Sequence, residues 1–243
     1  MALAIATNSA ALQAAASASS VNRDMETSMT RLASGMRINS ASDDAAGVAI
    51  ASRLSSEIRG TDQAIRNALD GQAVIDVAEG AHKEIENILQ RMREIAVQSA
   101  NDTNNTDDRT NLQTEMTALI NEIDRIASVT TWAGQSLLSA SGSSFSFQVG
   151  SATGDKNQIA ITVSRMDTGA SGLNVASVDV DTAIDGSDAG NVATFVEASV
   201  AGLVKIDAAI KKVNTQRSEL GAVSNRLSHT VANLTNISAN LSA

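Results

Sequence analysis

The chain has 243 residues and a formal net charge of −9, with 43% hydrophobic but only 2% aromatic residues. So few aromatic side chains predict a thin interior between long helices, because large aromatics normally fill thick cores. The absence of Cys excludes disulfides and thiolate chemistry, and the absence of Pro leaves helices uninterrupted. The acidic balance disfavours nucleic-acid binding. No apolar run approaches the roughly 20 residues of a membrane span.

Residues 1–42 form a first segment with small, polar side chains and a sparse apolar stripe. The stripe has helical spacing and is narrow: Leu3, Leu12, Val21, Met25 and Leu32. A helix with such a face buries little by itself, so we expect this segment to be disordered in the monomer or ordered by packing on another copy. Gly35 and Asn39 predict a break before the next helix.

A long helix is predicted to begin at Ser42, a candidate N-cap that Asp43 and Asp44 follow. Its later apolar residues recur at spacings of 3 and 4, as in a coiled-coil seam. A helix of about 55 residues would be roughly 80 Å long. Residues 101–108 are rich in Asn and Asp and predict a short turn, which makes the following helix antiparallel to the first.

Helical periodicity disappears over residues 139–190. Alternating apolar residues at 145–149 and 159–163 predict a β-hairpin. Residues 167–190 are small and acidic, and we expect them to form an exposed excursion. Helical spacing returns from Asn191 and continues to Ala243, so the layout is a long helix, a second helix, a small β region and a long helix.

These elements predict a mainly α fold, in which long antiparallel helices form a coiled-coil-like bundle with a small β-hairpin excursion. The predicted segments are 1–42, 43–138, 139–190 and 191–243, of which 43–138 holds two helices. The apolar seam is expected to be buried between the helices. Its residues are Ile88, Met92, Leu112, Leu119, Ile123, Leu220 and Leu227.

Residue types that build active sites are sparse. His82 and His229 stand alone on predicted helices, without the second His four residues away that a zinc-protease helix carries. We interpret both as surface or seam histidines. The paired acids at 43–44 and 107–108 fall at helix starts or turns, where helix capping explains them. We therefore expect no catalytic, cofactor or metal site, and predict that the chain is not an enzyme.

Long, ordered motifs resemble the bacterial flagellin family. They are ASDDAAGVAI at 41–50, LQRMREIAVQSAN at 89–101, NEIDR at 121–125, FSFQVG at 145–150 and LGAVSNR at 220–226. The resemblance covers nearly the whole chain except the excursion. It implies a structural subunit that polymerises with other flagellin copies into the flagellar filament used for swimming motility.

The resemblance also implies a place for each segment. Residues 1–42 would lie in the inner core on the lumen side, 43–138 and 191–243 in the outer helical domain, and 139–190 towards solvent. Secretion to the extracellular flagellum would use the flagellar export apparatus and a chaperone. Flagellins usually continue past the position of Ala243, so the last helix is expected to be truncated. The alternative function is a surface or secreted helical module that recognises a glycan or host surface through its excursion.

Two groups of site residues follow from the resemblance. Vertebrate Toll-like receptor 5 reads a flagellin helix surface that is also used between subunits, and the matching residues are Gln90, Arg91, Glu94, Ile95, Gln98 and Glu115. The spacing places Arg91, Glu94 and Gln98 on one helix face. Flagellins are often O-glycosylated in the solvent-facing region, where the candidate acceptors are Ser141, Ser143, Ser144, Thr168 and Ser171.

Overall fold

The computed structural model describes residues 9–139, 142–181 and 192–242. Its helices are α1 Ser9–Ser34, α2 Ala45–Ser99, α3 Thr106–Val129 and α4 Val192–Ser242. Short strands lie between α3 and α4: β1 Thr131–Trp132, β2 Gln135–Ser136, β3 Ser143–Gln148 and β4 Gln158–Val163. The chain divides into two compact units, Met1–Arg59 and Gly60–Ala243. The predicted mainly α fold class is confirmed.

The first unit contains α1, which ends where the sequence predicts a break. Gly35 has a φ of +69°, and its N–H donates to the Arg31 carbonyl at 2.9 Å. Only glycine adopts this left-handed conformation without strain, so it terminates the helix. None of the α1 residues is buried. Its large apolar side chains are all more than half exposed: Leu12, Val21, Met25, Met29 and Leu32.

The start of α2 differs from the sequence prediction. The prediction of Ser42 as N-cap is wrong, because the helix begins at Ala45 and Oδ1 of Asp44 accepts the N–H of Gly47 at 2.8 Å. Asp44 thus satisfies a donor in the first turn, as an N-cap does. The neighbouring Asp43 accepts the backbone N–H groups of Asn39 and Ser40. Those hydrogen bonds lower the pKa of the Asp43 carboxyl.

The second unit is built on three long helical segments. An ion pair between Arg93 Nε and Asp207 Oδ1 at 2.8 Å joins α2 to α4 near one end of their contact. A hydrogen bond from Ser238 Oγ to Asp62 Oδ1 at 2.9 Å joins the same helices near the other end. An early residue of α2 thus meets a late residue of α4 and the reverse, so the two helices are antiparallel. The helix α2 has the predicted length of 55 residues.

A capping box fixes the start of α3 in the turn that the sequence predicts. The Asn105 side chain accepts the Asp108 N–H, and the Asp108 carboxylate accepts the Asn105 N–H. Two first-turn donors are satisfied in this way, which is worth about 1 kcal/mol. The helix α3 ends at Val129, within the predicted segment 43–138. The tight β1–β2 hairpin follows, and Ala133 and Gly134 take positive φ angles in its turn.

The predicted hairpin at 145–163 is confirmed by the antiparallel pairing of β3 with β4, in which Phe145 lies opposite Ile161. In β4, alternate residues are buried: Ile159, Ile161 and Val163. The hairpin therefore contributes one face to the core. A Cβ added at Gly71 of α2 would lie 3.2 Å from Leu227 Cδ1 and 3.4 Å from the Phe147 ring. This glycine lets α2, β3 and α4 approach one another closely.

The predicted exposure of residues 167–190 is wrong for the part that the structure describes. We call residues 164–181 the strap; it contributes several buried apolar side chains to the same core as the helices: Met166, Leu173, Val175, Val178 and Val180. The strap packs on all three helices: Val180 bonds Ser99 of α2 and Gln113 of α3, and Val178 lies against Gly202 of α4. Residues 182–190 lie outside the described residues.

Substitution of seam residues should separate buried from exposed positions. Ile123 and Leu227 are fully buried, so Ile123→Ala and Leu227→Ala should each lower the free energy of unfolding by about 2–5 kcal/mol. Val129→Ala is the control, because Val129 is 57% exposed and should change stability by less than about 0.5 kcal/mol. Urea denaturation monitored by circular dichroism measures all three. Equal, small losses would show that the seam is not the core.

Candidate functional site

The site residues predicted on α2 lie on two different sides of the helix. Gln90, Arg91, Glu94 and Gln98 are exposed, whereas Ile95 has no exposed surface and belongs to the core. The structure therefore contradicts Ile95 as a contact residue. Residues four positions apart lie on nearly the same side of a helix, so Ile95 is close to Arg91 around the helix axis. In the structure, Ile95 nevertheless faces the seam and is completely buried.

Arg91 connects α2 to α3. Its Nε donates to Glu115 Oε1 at 2.8 Å, and its Nη1 donates to Glu94 Oε2 at 3.0 Å. The Glu115 bond, followed by the Glu94 bond, raises the pKa of Arg91. The three side chains keep 49%, 42% and 67% of their surface exposed, in the order Arg91, Glu115, Glu94. Exposed pairs of this kind add little stability, so their main effect is to fix the orientation of the guanidinium.

Gln98 lies at the end of this face, next to the turn between α2 and α3. Its carbonyl accepts Nδ2 of Asn104 at 2.5 Å, which anchors the turn to the last residues of the helix. Its amide side chain is in an exposed position, as is that of Gln90. The structure thus brings Arg91, Glu94 and Glu115 into direct contact, while the two glutamines extend the same polar face along α2.

The seam residues occupy the opposite side. Four are buried: Met92, Ile123, Leu220 and Leu227. Three are partly buried and pack against the core: Ile88, Leu112 and Leu119. The partial exposure of these three follows from their positions at the margin of a narrow stripe. The exposed polar residues and the buried seam residues of α2 therefore lie on opposite sides of the helix.

The candidate glycosylation sites have different environments. Ser144 and Ser171 are exposed. Ser143 is partly buried, and its Oγ donates to the Ser136 carbonyl at 2.6 Å. Thr168 is only 3% exposed, so its hydroxyl is inaccessible in the folded subunit, which contradicts it as an acceptor. Ser141 lies outside the described residues.

Three helix side chains make polar contacts with the strap that were not predicted from the sequence. Asp124 of α3 accepts both the N–H and the Oγ–H of Thr168, each at 2.8 Å. Gln113 Oε1 accepts the Val180 N–H at 2.8 Å, and Lys212 of α4 donates to the Gly172 carbonyl at 2.6 Å. The spacing of Val175, Val178 and Val180 was the available signal that this segment packs, but nothing in the sequence pairs it with Asp124.

Asp124 should therefore matter more for stability than Glu122 on the same helix, because its carboxylate bonds the buried Thr168. Asp124→Ala leaves two buried Thr168 donors without their acceptor and should lower the free energy of unfolding by about 1–3 kcal/mol. Glu122→Ala is the matched control on the same helix, because Glu122 pairs with Arg125 at the surface and should cost under about 1 kcal/mol. Urea denaturation measures the free energy of unfolding of both variants. Equal decreases would contradict the role of Asp124.

Among residues 9–139, 142–181 and 192–242, no three His, Asp or Glu side chains are grouped so that they could hold a metal ion. No helix within these ranges combines the length and apolar character needed to cross a bilayer. The described residues do present an exposed polar face on α2, in which Arg91 contacts Glu94 and Glu115.

The N-terminal region matches the bacterial flagellin N-terminal helical region over residues 5–143. The C-terminal region matches the bacterial flagellin C-terminal helical region over residues 203–243. The chain belongs to the bacterial flagellin family. Flagellin is a structural protein, the subunit of the flagellar filament, and the same role holds for this chain. The filament is part of an extracellular organelle.

Individual relatives agree with this assignment. A flagellin of Halalkalibacterium halodurans is 42% identical over 215 residues, which are 88% of this chain and 74% of the relative. Flagellin D of Vibrio cholerae is 33% identical over an alignment of 331 residues that covers 100% of this chain and 88% of the relative. The crystal structure of Bacillus cereus flagellin superposes with a TM-score of 0.52 and 29% identity, covering 72% of this chain and 94% of that structure. Nothing in the described residues or these relatives favours the alternative of a glycan-binding module.

Proposed function

We propose that the exposed polar face of α2 and α3 is the surface through which this filament subunit meets neighbouring copies and, as a monomer, Toll-like receptor 5. We call it the contact face, formed by Gln90, Arg91, Glu94, Gln98 and Glu115. The observation that supports the proposal is the pair of ion contacts from Arg91 to Glu94 and Glu115. They fix an exposed guanidinium across two helices.

A preorganised arginine suits both partners for the same physical reason. Binding normally costs about 0.5–1.5 kcal/mol for each long side chain that must be immobilised, and Arg91 is already restrained by its two carboxylates. A planar guanidinium presents several donors in a fixed geometry, so it can bond a partner carbonyl or carboxylate with its outer edge. Because one face serves both partners, packing in the filament would hide it from the receptor.

The remaining parts of the assembly follow the same logic. Residues 1–42 would face the filament lumen, and 43–138 and 191–243 would form the outer helical domain. Exposed residues within 139–190 would face solvent, and of these Ser144 and Ser171 are accessible to glycosylation. The flagellar export apparatus and a chaperone would deliver the subunit to the cell exterior. The absence of Cys, together with a single Trp and no Tyr, suits export of an unfolded chain through a narrow channel.

Arg91→Ala should weaken receptor activation by monomer about tenfold or more, which corresponds to the loss of about 1.4 kcal/mol expected for a central arginine anchor. Arg125→Ala is the matched control, because Arg125 also pairs with a glutamate three residues away and is 59% exposed. A receptor-reporter cell assay over a monomer dilution series measures both. Equal potency of the two variants would contradict the role of Arg91, and inactivity of wild-type monomer beside an active flagellin would contradict the receptor proposal.

The same two variants test the subunit role. Electron microscopy of wild-type subunits assembled in the presence of flagellin seeds should show filaments, and the fraction incorporated should fall for Arg91→Ala but not for Arg125→Ala. Equal incorporation of all three would place the subunit contact elsewhere. Because receptor activation and incorporation are read separately, the two uses of the contact face succeed or fail independently.

Hydrogen exchange should distinguish α1 from the second unit. Since α1 has no buried residue and a helix of its kind is marginal alone, we expect its amides to exchange within seconds in the dilute monomer. Amides near Ile123 should remain protected, and α1 should gain protection on assembly. Strong protection of α1 in the monomer would show that it folds without a partner.

A further inference from the structure

His82 is a buried titratable residue that the filament function does not use. It lies on α2 with no exposed surface, and neither Nδ1 nor Nε2 has a hydrogen-bond partner among the described residues. One of the two nitrogens carries a hydrogen in either neutral tautomer, so a donor and an acceptor are both buried without a protein partner. Such groups cost free energy, and this one lies inside the core that holds the unit together.

Arg217 of α4 contacts two carboxylates of α2 that lie on either side of His82. Its guanidinium is bonded to Glu86 and lies 3.6 Å from Glu79 at its other terminal nitrogen. Glu79 and Glu86 precede and follow His82 by three and four residues, so they lie one turn away on either side of it. The two carboxylates of α2 are therefore already engaged by a cation of α4, and a second cation between them would have to compete with Arg217.

The other charged groups around this part of the core are engaged elsewhere or exposed. On α3, Asp124 holds Thr168, and Glu122 pairs with Arg125. In the strap, Arg165 pairs with Asp167. Lys212 of α4 donates to strap carbonyls, and the remaining nearby charges are in exposed positions: Lys83, Glu84 and Glu219. Arg217 is the charged group that acts on His82.

We propose that His82 makes the packing of α2 against α4 proton-sensitive: its stability falls as the surroundings become mildly acidic, because the separated helices accept a proton on this imidazole and the packed helices exclude it. A protonated imidazole would be a buried cation beside Arg217, and burial of an uncompensated charge is strongly unfavourable. Relief requires that the Arg217 contacts with Glu79 and Glu86 open, or that the helices separate. Either change acts on the contact on which the whole second unit is built.

Burial, followed by the charge of Arg217, lowers the pKa of His82 from 6.5 to about 4. The unfolded chain therefore binds a proton before the folded chain does, and stability falls as the pH falls. The loss begins near pH 6.5 and is complete below about pH 4. From these two pKa values, the ratio of folded to unfolded subunit should drop about 30-fold between pH 7.5 and pH 5 through this residue alone.

Urea denaturation of the full-chain monomer at pH 7.5, 6 and 5 tests the proposal. His82→Leu removes the proton site and keeps an apolar side chain in the core. The part of the pH dependence that comes from His82, a factor of about 30 in the ratio of folded to unfolded subunit, should therefore be absent from this variant. His229→Leu is the matched control, because His229 is in an exposed position on α4, and this variant should follow the wild type. Parallel pH profiles of wild type and His82→Leu would overturn the proposal.

Nuclear magnetic resonance of the wild-type imidazole groups gives an independent measurement that needs no core substitution. The His82 ring signal should stay that of a neutral imidazole down to pH 5. A His82 ring that titrates in the folded subunit near pH 6.5 would overturn the proposal, whether or not His82→Leu folds.

Discussion

The antiparallel packing of α2 against α4 is the contact on which the rest of the second unit depends. Two segments that are far apart in the sequence meet along one narrow apolar seam, and polar pairs fix their register: Arg93 with Asp207, Arg217 with Glu86 and Ser238 with Asp62. The apolar burial supplies the free energy, and the polar pairs select one alignment of two otherwise similar helix faces. The helix α3, the β3–β4 hairpin and the strap all pack on this framework.

A thin core has a direct effect on the surface of the subunit. Met92 and Arg91 are neighbours in sequence, yet the first is fully buried and the second is half exposed. Because the core is only one layer of side chains between helices, each turn of α2 carries both buried residues and exposed residues. A change in how α2 lies against its neighbours therefore moves Arg91 as well, and Arg91 holds Glu115 of α3.

Regular patterns were predictable from the sequence, and irregular packing was not. The 3 and 4 spacing through Ile88, Met92 and Ile95 predicted α2, and alternation predicted the β3–β4 hairpin, because both periods follow from backbone geometry. The strap has few apolar residues and no period, so its burial depends on tertiary contacts such as Asp124 with Thr168. Periodicity also put Ile95 near the contact face without showing that it is turned inward.

The single tryptophan has a consequence for how this subunit can be observed. Trp132 lies in the tight β1–β2 hairpin, partly buried against the core, and the chain has no Tyr. Ultraviolet emission excited at the indole band thus originates at one known position directly after α3. The wavelength of maximum emission depends on how much water reaches the indole at that turn. Trp132 is therefore an intrinsic fluorescent probe of this one position. Detachment of the hairpin would be seen separately from melting of the helices.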